Sequence, residues 1–344
     1  MKDILVIFTG GTIGSTVKGD SIGITPESSQ TIIRMYENEY GDAERFEFAS
    51  PFTILSENLT PDRLNELLLF IKNINMEKYK GVIITHGTDT LSYTSVFLGT
   101  VLKDLLPCPV VIIGTDKPPE VPGSNAFANF DGSVRLIDFL SKIGFYKDVF
   151  TVWQKGGTYA AYLGRELAVA DSATDNFGIF GGEPFAEFYP EGLNMNGEGF
   201  SWKVVINTGH EDRCEPLPDE EGRRKLFEKG IKANLNIAAF RPFPGFSYDD
   251  ADISRADAVL VYGYHSGTFC TGKGAGEVND KRLLFQTLSD KCRALGKPLY
   301  LASFKEDARE YESVKGLDET GIVKMYDMSF EAAYINCLLL ESLK

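Results

Sequence analysis

Short runs of apolar, largely β-branched residues that stop at glycine or threonine limit what this chain can fold into. Ile4 to Phe8, Gly81 to Thr85, Pro109 to Gly114 and Val149 to Trp153 are continuous apolar runs of strand length, as in strands buried on both faces. Helical patterns lie between them. TPDRLNELLLFIKNI offers Thr60 as an N-cap and Pro61 at the first helical position, with Leu64, Leu67, Leu68 and Ile71 on one face. Further helices are expected from Leu91 to Lys103 and around Gly132 to Lys142. Strand and helix in alternation mean a parallel sheet covered on both sides.

The rhythm breaks after about Gly181, where glycines, prolines, aromatics and asparagines follow one another without a period. One apolar run, Trp202 to Ile206, and an acidic stretch through Asp219 and Glu221 complete a linker region with room for a hairpin. From about Asn234 the pattern returns. Ile237 to Phe240, Ala258 to Tyr262, Pro298 to Ser303 and Ile322 to Tyr326 are expected strands, and Asp280 to Leu295 and Ser329 to Leu343 expected helices. The expected class is α/β in two domains: a larger N-terminal parallel-sheet domain (1–190), a linker region (191–233) and a smaller, Rossmann-like C-terminal α/β domain (234–344). A length of 344 residues suits two domains.

Charge narrows the partners. Against 35 basic residues stand 49 acidic ones, a formal net of −14, which repels a polyanion and disfavours nucleic acid. The opening apolar run is too short for a signal peptide, and no run approaches the ~18 apolar residues of a membrane span. Cys108, Cys214, Cys270, Cys292 and Cys337 are scattered and odd in number, with no metal-ligand spacing, as in a reducing cytoplasm. Cys337 is expected to be a small core residue. No zinc or calcium spacing occurs, so no metal or other cofactor is expected.

In open parallel sheets ligands bind beyond the carboxyl ends of the strands. Two loops at such positions are rich in hydroxyls: Thr9-Gly10-Gly11-Thr12-Ile13-Gly14, and THGTDTLSYT from Thr85 to Thr94. The first is neither a dinucleotide fingerprint nor a P-loop, and no lysine falls before Lys18. Its glycines either let Thr12 project into the opening or form a strand-to-helix turn in which Thr12 is a cap. In the second loop Gly87-Thr88-Asp89 sets a hydroxyl beside a carboxylate. Asp89 there can grip an ammonium group or cap the helix from Leu91.

TGGTIG followed by HGTDT, in that order, resembles the bacterial-type L-asparaginase and glutaminase family, threonine amidohydrolases. LSENLTP (Leu55 to Pro61), PVVIIG with NFDGSVRLIDF, PFPGF (Pro242 to Phe246) and GIVKMYDMSFEAA (Gly321 to Ala333) extend the resemblance along most of the chain. The resemblance implies Thr12 as the nucleophile that attacks a side-chain amide. It implies Thr88 and Asp89 as the second catalytic pair, with Asp89 also gripping the α-ammonium group. Ser56 and Glu57 match residues that hold the amino-acid end of the substrate, and Gly11 and Gly87 line the same cradle. The implied reaction is hydrolysis of the ω-amide of asparagine, or a related amide, to acid and ammonia by a cytoplasmic homodimer or homotetramer. An acyl-threonine splits one difficult step into two, and backbone N–H groups in the glycine turn and at Thr88 suit an oxyanion.

Two positions depart from that pattern. Ile24 stands where the family has a tyrosine, and Val169, in Arg165-Glu166-Leu167-Ala168-Val169, where it has a lysine. General-base help is worth about two to four powers of ten. Tyr36, Tyr40, Lys117 and Lys155 are candidate substitutes. His86 is expected to be structural. His265, with Lys273 and Glu277, lies in a segment resembling the one with which a neighbouring subunit completes the family's site, and His210 lies in the irregular linker. The losses keep open an amino-acid-binding or regulatory protein without catalysis, and a relative that handles a different amide, such as the asparaginase-like subunit of a tRNA-dependent amidotransferase, is a second enzymatic alternative.

Overall fold

The computed structural model describes residues 2–18, 21–24, 30–144, 147–170, 176–179, 183–193, 200–207, 217–274, 276–315, 317 and 321–344. Five parallel strands form the first part of the larger sheet: β1 (Ile4–Phe8), β4 (Phe46–Ala49), β5 (Gly81–Thr85), β6 (Val110–Ile113) and β7 (Val149–Lys155). They lie in the order β4-β1-β5-β6-β7, so the chain steps from β1 to one side and then returns past it to the other. That reversal is a topological switch point between β1 and β5, the place where a crevice opens at the carboxyl ends of the strands. The loops carrying Thr12 and Thr88 leave from those two strands.

Helices α1 (Thr31–Tyr40) and α4 (Ala126–Ile143) cover one face, and α2 (Pro61–Lys72) and α3 (Leu91–Val101) the other. In β1, Ile4, Val6 and Phe8 pack with α1 and α4, while Leu5 and Ile7 pack with α2 and α3, the period of two expected of a strand buried on both sides. Pro61 opens α2 and the expected leucine face is buried. The Thr60 hydroxyl, however, makes no cap bond.

Beyond β7 the sheet stops being parallel. Strands β8 (Thr158–Leu163), β9 (Ala186–Leu193) and β10 (Phe200–Ile206) each run antiparallel to the neighbour before them. The cause is local: Gly156 and Gly157 carry φ of 59° and 86°, the two left-handed positions of a tight hairpin turn, and such a turn returns the chain antiparallel. The larger sheet is therefore mixed rather than wholly parallel. Likewise the span 191–233, expected as a linker, holds the end of β9, β10 and the helix α5 (Glu220–Lys229).

A second sheet, all parallel, runs β11 (Ile237–Phe240), β12 (Ala258–Tyr262), β13 (Leu299–Phe304) and β14 (Val323–Tyr326). Helix α6 (Phe285–Ala294) packs on one face through Phe285 and Leu288, and α7 (Phe330–Leu343) on the other. One apolar core joins the two sheets: Leu67 and Val96 of the first part lie in the same cluster as Leu260, Met325 and Leu338 of the second. Helix α3 sits at that junction, and all its residues but Tyr93 are buried, as a helix apolar on every side requires. Cys337 is a core residue of α7, as expected. Between β1 and α1 lies a small antiparallel hairpin, β2 (Ser15–Lys18) and β3 (Ser21–Ile24), pairing Ser15 with Ile24. Among the described residues no helix is long and apolar enough to cross a membrane, and no cluster of three or more acidic, histidine or cysteine side chains could hold a metal ion.

Candidate active site

Two glycines of the first loop are there for backbone reasons. Gly10 and Gly11 have φ of 105° and 76°, and the Gly11 N–H donates to the carbonyl of Ile54 at 3.0 Å. A Cβ on Gly11 would fall 2.2 Å from the Gly87 backbone, and one on Gly87 would fall 2.4 Å from the Ser56 side chain. Glycine at both positions thus lets three chain segments touch: the turn after β1, the turn after β5 and the LSENLTP segment. Thr12 opens a single 3₁₀ turn (Thr12–Gly14) and is partly exposed beside this contact. Among the described residues its hydroxyl has no hydrogen-bond partner.

Ser56 is buried, and its hydroxyl donates to Asp89 Oδ2 at 3.1 Å. The neighbouring Thr90 hydroxyl donates to the Ser56 carbonyl at 2.8 Å, so the serine is held from both ends. Asp89 is exposed at the mouth and does not bond the helix start, as α3 has no side-chain cap. Its carboxylate is directed at the cradle. Glu57 is exposed. The structure therefore brings together Gly11, Thr12, Ser56, Gly87, Thr88 and Asp89, and leaves Glu57 at the rim.

Thr88 is held differently. Its hydroxyl donates to the Thr115 carbonyl at 2.7 Å and accepts the Thr115 N–H at 3.2 Å. Gly114 makes room for this, since a Cβ there would come within 2.7 Å of Thr88 Oγ1. Behind it, Asn125 Oδ1 accepts from the Asp116 N–H, and Asn129 ties the Gly114 carbonyl to β7. Sequence reasoning does not single these residues out, although a signal exists: Gly114-Thr115-Asp116 repeats the Gly-Thr-Asp of the neighbouring strand end.

His86 is structural. Its Nδ1 lies 2.8 Å from the Gly87 carbonyl, which can only accept, so the proton sits on Nδ1 and Nε2 accepts from the Thr94 hydroxyl, also at 2.8 Å. Complete burial pushes this imidazole down to about 4 and keeps it neutral. The candidate substitutes for the missing partners lie in other settings. Tyr36 is buried edge-on against Phe46 and Phe130, and burial raises its phenol to about 12. Tyr40 receives a hydrogen bond from Arg135. Lys117 is exposed, and its carbonyl accepts from Thr115 and Ser124. Val169 is 42% exposed and Ile24 lies on β3 opposite Ser15. The Lys155 side chain, His210 and Cys214 lie outside the described residues. His265, Lys273 and Glu277 are exposed on the loop after β12.

Two glycine-shaped turns meet at the switch point, with a threonine and a serine–carboxylate pair between them. The profile described as asparaginase, N-terminal, matches residues 3–143. A glutamyl-tRNA(Gln) amidotransferase subunit from Saccharolobus islandicus is 32% identical over 341 residues, covering 98% of this chain and 71% of that protein. The corresponding protein of Aeropyrum pernix is 26% identical over 348 residues, covering 96% and 72%. A probable cytoplasmic L-asparaginase from Campylobacter jejuni shares the fold, with a TM-score of 0.69 at 16% identity over 99% of this chain and 95% of that one. The chain belongs to the asparaginase family.

Proposed function

We propose that this protein is an ω-amidohydrolase that releases ammonia from an amino-acid amide as one subunit of an amidotransferase. The observation that carries the hydrolytic reading is the Gly11–Gly87 contact, which sets Thr12 beside the Ser56–Asp89 cradle. Asp89 takes the α-ammonium group of the substrate and the Ser56 hydroxyl its α-carboxylate. The Thr12 hydroxyl, which bonds no other described residue, attacks the amide carbon. Its proton goes to the departing nitrogen, ammonia leaves, and water then cleaves the acyl-threonine to acid and free enzyme. The Gly11 N–H is spent on Ile54, which leaves backbone N–H groups at Thr12 and Thr88 as the oxyanion donors. The Thr88 hydroxyl, fixed on Thr115, serves position rather than attack.

What favours the amidotransferase setting over a free-standing asparaginase is that the relatives matching nearly the whole chain carry the name of an amidotransferase subunit. A net charge of −14 means that contact with tRNA would fall to the partner subunit. Association of this chain with itself as a dimer or tetramer belongs to the same proposal. The test is ammonia release from L-glutamine and L-asparagine by the purified chain, with the Nα-acetylated amides as controls. Release from the free amino acids and not from the blocked ones is expected. No release from any of them, with aspartate still raising the melting temperature, would leave an amino-acid-binding protein in its place.

A further inference from the structure

A cavity of about 350 Å³ lies between α2, α3, β11 and α7, behind the candidate site. We propose that it binds a small, neutral, planar aromatic molecule bearing one hydrogen-bonding group, of the size and kind of indole. Leu59, Leu64, Ala239 and Ile335 make its apolar walls, and no charged residue lines it. An ionic ligand would lose its hydration there with nothing to replace it. Tyr93 and Tyr334 meet edge to face with ring centroids 5.9 Å apart, and the Phe330 ring completes the aromatic wall. Such rings favour a further aromatic in stacked or T-shaped contact.

The cavity is not a packing fault. It opens to the surface, and its volume falls within the ~300–1,000 Å³ of small-molecule sites. Among the described residues the hydroxyls of Tyr93 and Tyr334 have no hydrogen-bond partner, so two half-buried phenols are open to a ligand. The remaining polar lining residues are Thr60, at the exposed edge, and Thr90, whose hydroxyl is already given to the Ser56 carbonyl. An occupant would therefore rest against the residue that holds Ser56. Its effect on substrate affinity rests on the amide-hydrolysis reading, whereas binding does not.

Calorimetric titration of the full chain with indole tests this. Saturable binding at one site is expected, weakened roughly tenfold or more by Ala239→Leu, which fills the cavity. No saturable binding to the wild-type chain, or undiminished binding to a normally melting Ala239→Leu, would overturn the proposal. Should that variant unfold early, the Tyr93→Phe/Tyr334→Phe double variant decides instead. It must lose the preference of the site for indole over toluene, and a preference retained in it contradicts the assignment. If indole binds and leaves the KM for the amide unchanged, the coupling fails while the site stands.

Discussion

At Asp89 one carboxylate accepts from the Ser56 hydroxyl, and in the proposed chemistry it turns to an ammonium group when substrate enters. Replacing it by asparagine keeps the shape and removes the charge. A hydrogen bond to a charged group is worth about 1.5–3 kcal/mol, so Asp89→Asn should lower kcat/KM by roughly one to two powers of ten, mostly through KM. Unchanged steady-state constants would remove Asp89 from substrate binding. His86 makes a stability prediction of definite sign. Burial holds it down at about 4 in the folded chain, against about 6.5 when unfolded. Between those values the unfolded chain binds the proton and the folded chain does not, so stability rises with pH through this window and is complete above it. Lowering the pH from 7 to 5 should therefore cost about 2 kcal/mol in urea melts. His86→Asn should lose that part of the slope, and the same slope in the variant would show that the imidazole is not the group responsible.

Where two strand ends meet, the geometry of whole turns decides what a substitution does. Gly11 and Gly41 both have left-handed backbones, with φ of 76° and 67°, but their surroundings differ. A methyl on Gly41, at the end of α1, meets nothing within 4 Å, so Gly41→Ala should cost only the ~1–2 kcal/mol of the backbone conformation. A methyl on Gly11 meets the Gly87 backbone, which has no side chain to swing away. Gly11→Ala should cost at least about 3 kcal/mol and end ammonia release. Equal melting temperatures for the two variants would contradict the contact. Elements like these are legible in the sequence because their signals are local: a β-branched run, its glycine stop, and the threonine that follows. Thr12, Gly87 and Asp89 can be named from such signals, whereas Ser56 is named only through the resemblance of LSENLTP to the family's segment. The hold of Thr115 on Thr88 cannot, because it depends on β5 and β6 lying side by side, which no short stretch records. The antiparallel end of the larger sheet escapes a sequence reading for another reason. Its signal, Gly156-Gly157 between Lys155 and Thr158, is present and local, but the strand that follows it, Thr158 to Leu163, is weakly apolar. Helix α1 shows the same weakness: Ile32, Ile33 and Tyr36 are its buried apolar residues, with the partly buried Met35 packed beside them.

Across the molecule, the shared core makes the two sheets one thermodynamic unit. Leu338 of α7 is fully buried in the cluster that also holds Leu67 of α2 and Val96 of α3. Calorimetry should show one unfolding transition, lowered as a whole by Leu338→Ala at a cost of about 2–5 kcal/mol. Two separate transitions, with only one shifted by the substitution, would mean that the sheets unfold independently. The same continuity places the cavity between α2, α3, β11 and α7 against the cradle, so that packing between the sheets bears on the site. The proposed chemistry rests above all on the Thr12 hydroxyl as the attacking group, and the most direct measurement is the rate of ammonia release by the wild-type chain, Thr12→Ser and Thr12→Ala. Serine keeps the hydroxyl and should keep a measurable rate, while alanine, with an unaltered melting temperature, should fall to background. Continued release by Thr12→Ala would show that the chemistry is carried elsewhere.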